Sequence, residues 1–417
     1  MNLSVSALSK IAALASVSIV VGVAAVGSIS VSLTNQNKVI MGVQAHGTSL
    51  AGMSREEARQ FFTGVANNRL NRKAAVLSYK DRSFTINPAD IKLQGNIDKA
   101  VNEAYNIGRD GSAAQNIIMQ MYYAMFGRSV TMDASFDEQL LSDKLLQIKQ
   151  SLDTPPVNAT AMLQADGTIK KTPAVTGLTL DIQPLITAMT PELQQMNLTI
   201  KLPLEPAEQP PFIQDADLAA MDTVLSCYTT SFYPGDRGDN IGLAADKLEG
   251  ALIKPGASLS FNTLVGKRTR EAGYKNAGVI VNGEPAVDVG GGVCQVSSTL
   301  YNAILLAGLT PVERTGHFIP SSYVPAGRDA TVADDLIDFV FRNPLPHPVY
   351  LTVGNTGTRL TVFVLGTKAD LKGQTISLIT EGAALKPSLY RLWRQNGEII
   401  DKEYLHTDSY NPPKPQA

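Results

Sequence analysis

Only two cysteines, four histidines and one tryptophan occur in 417 residues. Two cysteines exclude a disulfide scaffold and allow at most one bridge, Cys227 to Cys294, which the sequence leaves open. The Cys and His residues lack the paired close spacing of zinc sites, so no metal is expected. The run Gly290, Gly291, Gly292 is not followed by a lysine and has no Walker spacing, which argues against a phosphate loop; no cofactor is expected. Charged residues make up only 18% of the chain and the formal net charge is -2. Without a basic balance, nucleic acid is not an expected partner.

Charge is also missing locally. No charged residue occurs from Ile11 to Gln36, and residues 11–33 are mostly apolar. That is long enough for one membrane-spanning helix, with Lys10 on the inner side and the bulk of the chain outside the cytoplasm. A cleaved signal peptide is the rival reading, given the small residues around Ala24 to Ser28.

Beyond this run the chain reads as α+β. "SREEARQFFTGVANNRL" predicts a helix capped by Ser54 with Glu57 closing a capping box. "AAVLSYKDRSFTI" predicts two strands about a Lys80-Asp81 turn. A second helix is expected from about Asp98. The order then returns: a helix capped by Ser135, a hairpin at Asp166-Gly167, and another helix after "GLTLD". Residues 44–105 and 130–204 therefore read as two copies of one α+β unit. Between them, "NIIMQMYYAMF" predicts a helix whose Met/Tyr/Phe face belongs in a core. Four prolines between Pro203 and Pro211 predict a stiff linker. Near the end, Asn396-Gly397 predicts a hairpin, and "NPPKPQA" a tail without packing. The expected division is 1–37 (stub and membrane segment), 38–128, 129–205, 206–225 (linker), 226–382 and 383–417.

The chemistry concentrates in "GGGVCQVSSTLYNAILLAGL". Val296, Leu300 and Ile304, with Tyr301 and Leu305, make a buried helical stripe, and Gly308 suits the cap. Cys294 then falls in the first turn, where unpaired N–H groups and the helix dipole favour a thiolate. Gly290, Gly291, Gly292 and Gln295 are candidate oxyanion donors. A nucleophilic cysteine needs a base. His317 follows a strand that could return to the helix start; His347, among prolines, is the second candidate. Asp329 or Asp338 could orient the base. Arg268 and Arg270, in "GKRTREAGY", could clamp a carboxylate, though a solvated loop explains them equally. A cysteine that merely packs remains the plain alternative.

Several of these stretches, in order, resemble the VanW family: "NIGLAADKLEGALIKPGASLSFNTLVGKRTREAGY", "GGGVCQVSSTLYNA", "ERTGHFIPSSYVPAGRDATV" and "DFVFRN", spanning about 226–355. Upstream, the repeated units resemble the peptidoglycan-binding domain that precedes such domains and some L,D-transpeptidases. The resemblance implies a membrane-held bacterial envelope protein with peptidoglycan as partner and a mixed α+β C-terminal domain ending in a β-hairpin. It carries the family's cysteine, glutamine, histidine and aspartate onto Cys294, Gln295, His317 and Asp329; Tyr323 joins Arg268 and Arg270 as a ligand-binding candidate. It implies no settled activity. Three functions stand: a wall-binding protein, a thiol enzyme acting on a peptidoglycan amide, and an envelope scaffold without wall chemistry.

Overall fold

The computed structural model describes residues 36–281 and 284–412, so the apolar run 11–33 and the last five residues lie outside the described part. Helices and strands are mixed throughout, as the α+β expectation requires. Among the described residues no helix is long and apolar enough to cross a membrane. The chain divides into two compact units: Met1–Pro155 with Leu178–Gln209, and Pro156–Gly177 with Pro210–Ala417.

In the first unit, the helix Arg55–Leu70 starts at Ser54 with the expected capping box. The helix Glu138–Leu152 is capped by Asp137, not Ser135: the Asp137 carboxylate accepts from the amides of Gln139 and Leu140. Asp is as good a cap as Ser, and it stands at the position that faces the free amides. The two stretches read as copies interleave. Strand Ile200–Pro203 pairs parallel with Ala75–Tyr79, and Gln94–Gly95 pairs antiparallel with Ala134–Ser135. One core, including Phe62, Leu77, Leu141 and Met189, serves both.

The helix Ala113–Phe126 departs from expectation. Its Met/Tyr/Phe spacing predicts a core face, yet none of its residues is buried.

The second unit is built round the helix Val293–Leu306. It packs against an antiparallel sheet in the order Thr223–Ser231, Arg359–Gly366, Val349–Asn355, Leu252–Ile253. The hairpin Thr160–Leu163/Ile169–Thr172 adds Ala159 and Ala161 to a cluster with Tyr350 and Leu365 in this same unit. A meander of Gln374–Ala383, Lys386–Gln395 and Glu398–Thr407 completes it. Its last turn is Asn396-Gly397, both at positive φ, as a two-residue hairpin demands.

Nearly every face of the Val293–Leu306 helix is buried, including the polar Gln295, Ser297, Ser298, Thr299 and Asn302. Polar side chains persist inside because each makes at least one hydrogen bond, although Asn302 Oδ1 has no partner among the described residues. Ser297 Oγ donates to Ala330 O at 2.6 Å, and Asn302 Nδ2 to Arg328 O at 2.7 Å. Ser298 Oγ accepts from the Ala330 amide at 3.0 Å. These bonds stitch the segment 328–332 along the helix.

The glycines before the helix are forced by contact. A Cβ on Gly291 would lie 2.7 Å from the backbone of Ala277. Gly292 caps the helix at φ 112°, which L side chains rarely adopt. Gly291→Ala is therefore expected to cost about 1–3 kcal/mol through overpacking. Gly278, on the adjoining strand, has open space where its Cβ would be. Gly278→Ala should change stability by about 0.5 kcal/mol or less. Urea denaturation midpoints of the two variants check the contrast.

Candidate functional site

Cys294 is the second residue of its helix and is partly exposed. Both cysteines are free thiols, and Cys227 is exposed, so the bridge left open by the sequence is not formed. The Cys294 Sγ lies 3.4 Å from Val332 O. Its amide belongs to the first turn and meets no acceptor among the described residues.

From the helix C-terminus the chain reverses at Gly308 and returns along Thr310–Glu313, which delivers His317 to the helix start. His317 lies beside the Cys294 thiol, near enough for each to shift the other's ionisation. Its Nδ1 lies 2.5 Å from Asp329 Oδ2, and its backbone amide donates to the same oxygen at 2.6 Å. With Nδ1 on the carboxylate, Nε2 is left for the thiol and for Tyr323 Oη, which lies 3.4 Å away.

Asp329 is 1% exposed. Besides His317 it accepts from Tyr410 Oη and, at 3.2 Å, from Arg314 Nη2. Arg314 also donates through Nε to Asp329 O at 2.6 Å and grips Asp408 with both terminal nitrogens, at 2.5 and 2.7 Å. Asp408 and Tyr410 come from the segment just after the last strand, which runs beside the His317 loop: the Asn411 amide donates to Phe318 O at 2.8 Å. In the sequence this segment, "DSYNPP", resembles only the family's usual end after the hairpin. "DSY" has no pattern of its own, and only its folding back against residues 316–318 gives it a role.

The electrostatics follow. Burial alone would push the Cys294 thiol up. The hydrogen bond to His317, the charge of that ring, a backbone hydrogen bond at Val332 and the Arg268 guanidinium outweigh it and hold the thiol below its ordinary value. His317 would lose its proton on burial, but the bonds to Asp329 and Cys294 and their charges raise it to about 9. The pair therefore favours thiolate and imidazolium. Burial acts against ionised Asp329, and the bonds and charges of His317 and Arg314 with the Tyr410 bond more than reverse it.

The remaining candidates are placed differently. Asp338 caps the short helix Phe261–Val265, bonding Ser260 Oγ and, at 2.9 Å, the Asn262 amide, so it does not orient His317. His347 pairs with Asp370 at 2.7 Å and does not join the thiol. The Gln295 side chain is 2% exposed and donates to Ser231 O at 2.8 Å, so it cannot reach an oxyanion. Gly290 and Gly291 likewise serve packing: Gly290 donates to Lys275 O at 3.1 Å, and Gly291 O accepts from Asn240 at 3.0 Å. The Gly292 amide has no acceptor among the described residues. Arg268 is committed to Asp334 and Asn262, and Arg270 to Asn276 at 3.2 Å. Arg268 thus lends charge to Cys294 and is no open clamp. Among the described residues no cluster of three His, Cys, Asp or Glu is placed to hold a metal ion.

Two expectations follow. Titrated by NMR, His317 should lose its proton near pH 9, and in Asp329→Asn at a distinctly lower pH. Asp408 is held far below the carboxylate range: burial opposes its ionisation, but His406 and Arg314 overcome it. A carboxylate so lowered stabilises the fold above its unfolded pKa of about 3.9, and that stability is lost as pH falls through the folded value. Asp408→Asn should therefore cost about 3–5 kcal/mol at pH 7 by leaving Arg314 half paired. It should also flatten the acid limb of a urea-midpoint profile against pH.

A family model described as "VanW like protein" matches residues 236–365, and one described as "Putative peptidoglycan binding domain" matches residues 84–201. Vancomycin B-type resistance protein VanW of Enterococcus faecalis is 30% identical over 209 residues, covering 45% of this chain and 74% of that protein. The uncharacterized protein YoaR of Bacillus subtilis is 44% identical over 135 residues, covering 32% of this chain and 45% of YoaR. The match to YoaR thus spans less than half of that protein's length. No solved structure matches the chain.

Proposed function

The chain belongs to the VanW family, and from that premise we propose that it is a thiol acyl-transfer enzyme of the bacterial cell wall. The observation that carries the reading is a partly exposed cysteine at a helix start, beside a histidine that a buried aspartate orients. Such a relay is the requirement for attack on a carbonyl. A peptidoglycan-binding family model over residues 84–201 makes a stem-peptide amide the natural substrate.

In this mechanism the Cys294 thiolate attacks the amide carbon, and the carbonyl π electrons move to oxygen. The Cys294 and Gly292 amides, which meet no acceptor among the described residues, are the donors that would stabilise that oxyanion. Collapse breaks the C–N bond, and His317 gives its proton to the leaving amine, leaving a thioester. His317 then takes a proton from water or an incoming amine as it attacks the thioester, which restores the thiol pair. Water gives a hydrolase and an amine gives a transferase. Asp329 holds the ring and offsets its charge throughout. We place the reaction outside the cytoplasm, with residues 11–33 as the membrane segment.

The alternative is a wall-binding protein whose cysteine is inert. Incubation of the full chain with purified cell walls, followed by mass spectrometry of the released muropeptides, separates them. The thiol enzyme predicts a changed muropeptide pattern that Cys294→Ala abolishes while retention on walls persists. An unchanged pattern, or one that survives Cys294→Ala, overturns it. Iodoacetamide alkylation of Cys294 should reach its rate plateau at a lower pH than an ordinary thiol, and His317→Ala should move that plateau to higher pH.

A further inference from the structure

The helix Ala113–Phe126 contains no charged residue, and most of its apolar side chains are exposed. The inward face is set by Ile117, Gln120 and Tyr123, which are half-buried. Ile118, Met121, Tyr122 and Met125 follow at i, i+3, i+4 and i+7 and are 64%, 47%, 48% and 73% exposed, with Phe126 at 70%. That spacing is the mark of a buried helical face, here turned outward. So continuous an apolar strip is costly in water unless something covers it.

The neighbouring chain indicates the cover. Lys38 O accepts from Arg109 Nη2 at 2.5 Å, just before this helix, and Gly42 O accepts from the Arg128 amide at 2.8 Å, just after it. Gly42 is pressed so closely on Tyr123 that a Cβ there would meet the Tyr123 carbonyl at 1.8 Å. Met41, 56% exposed, sits next to it. The start of the described chain is thus fastened along the helix. The uncharged apolar run ends at Leu33, five residues before Lys38, a reach of at most roughly 18 Å. Lys38 and Arg128, both exposed, put positive charge beside the strip.

We propose that this helix is a lipid-docking element, its Ile118–Met121–Tyr122–Met125 face lying in the headgroup layer beside the point where the chain enters the membrane. The proposal rests on reading residues 11–33 as a membrane segment. Tyrosine and methionine with no charge on the apolar face suit the interface, and flanking Lys38 and Arg128 suit anionic headgroups. A second contact would hold the unit at the bilayer and limit how far the site can range from it.

The test uses the full chain with both cysteines replaced by serine, reconstituted in phosphatidylglycerol/phosphatidylethanolamine vesicles. A single cysteine carrying an environment-sensitive nitrobenzoxadiazole label is placed by Met125→Cys, by Asp143→Cys on an exposed helix position of the same unit, or by Ser18→Cys. The proposal expects the label at 125 to shift to the blue and to be quenched by shallow spin-labelled lipid, with neither change at 143. A label at 125 left unquenched while that at 18 is quenched overturns lipid docking and leaves the membrane segment standing. Quenching at 125 without quenching at 18 overturns the membrane segment, and with it a docking element beside the point of chain entry. A blue shift at 125 without quenching by lipid means that protein covers the strip, either a partner or residues 11–33, and overturns the proposal. Quenching that survives Ile118→Asp with Tyr122→Asp also overturns it.

Discussion

The site depends on one buried carboxylate. Asp329 is sealed from water and kept ionised by His317, Arg314 and Tyr410. A buried charge with one partner missing is costly, so these groups are bound to one another's presence. His317 and Arg314 come from the loop after the return strand, and Tyr410 from the segment beyond the last strand. The carboxylate therefore ties together parts of the chain that no local pattern connects. Arg314 closes the set by holding Asp408 as well as Asp329.

The helix that carries Cys294 is the other half of this arrangement. Its buried serines and asparagine look out of place in a core helix until their bonds to residues 328–330 are counted. They fix the Asp329 segment relative to the helix start, and through Asp329 they fix His317 relative to the thiol. The glycines before the helix let the chain pass within contact of Ala277 and Arg237, which brings the helix start close to its neighbours. Packing and chemistry thus share the same residues. A change at Gly291 or Ser297 reaches the thiol without touching it.

The charges near the thiol balance within the site. His317 and Arg268 oppose the Cys294 thiolate, while Asp334 holds Arg268 and Asp329 holds His317. A thiolate formed there is stabilised by neighbours already fixed in place, which is the preorganisation that acyl transfer needs. The first unit has a different character: its core is apolar, and its distinctive surface is the outward strip on Ala113–Phe126.

Much of the local structure was legible in the sequence. Ser54 with Glu57, the hairpin at Asn396-Gly397 and the helix after Gly292 depend on neighbours within a few positions, and their patterns survive folding. Cys294, His317 and Asp329 were legible as candidates because their residue types carry the chemistry. Choosing Asp329 over Asp338, and His317 over His347, required distances across the chain that spacing does not contain. Arg314, Asp408 and Tyr410 had no signal beyond their identity, since an ion pair between residues 94 positions apart leaves no periodic trace. The Met/Tyr/Phe stripe shows the same limit. Its spacing determined an amphipathic helix, but only the packing of the rest of the unit decided that the apolar face points outward. Periodicity says which residues share a face, and the direction of that face is set by what else competes to cover the core.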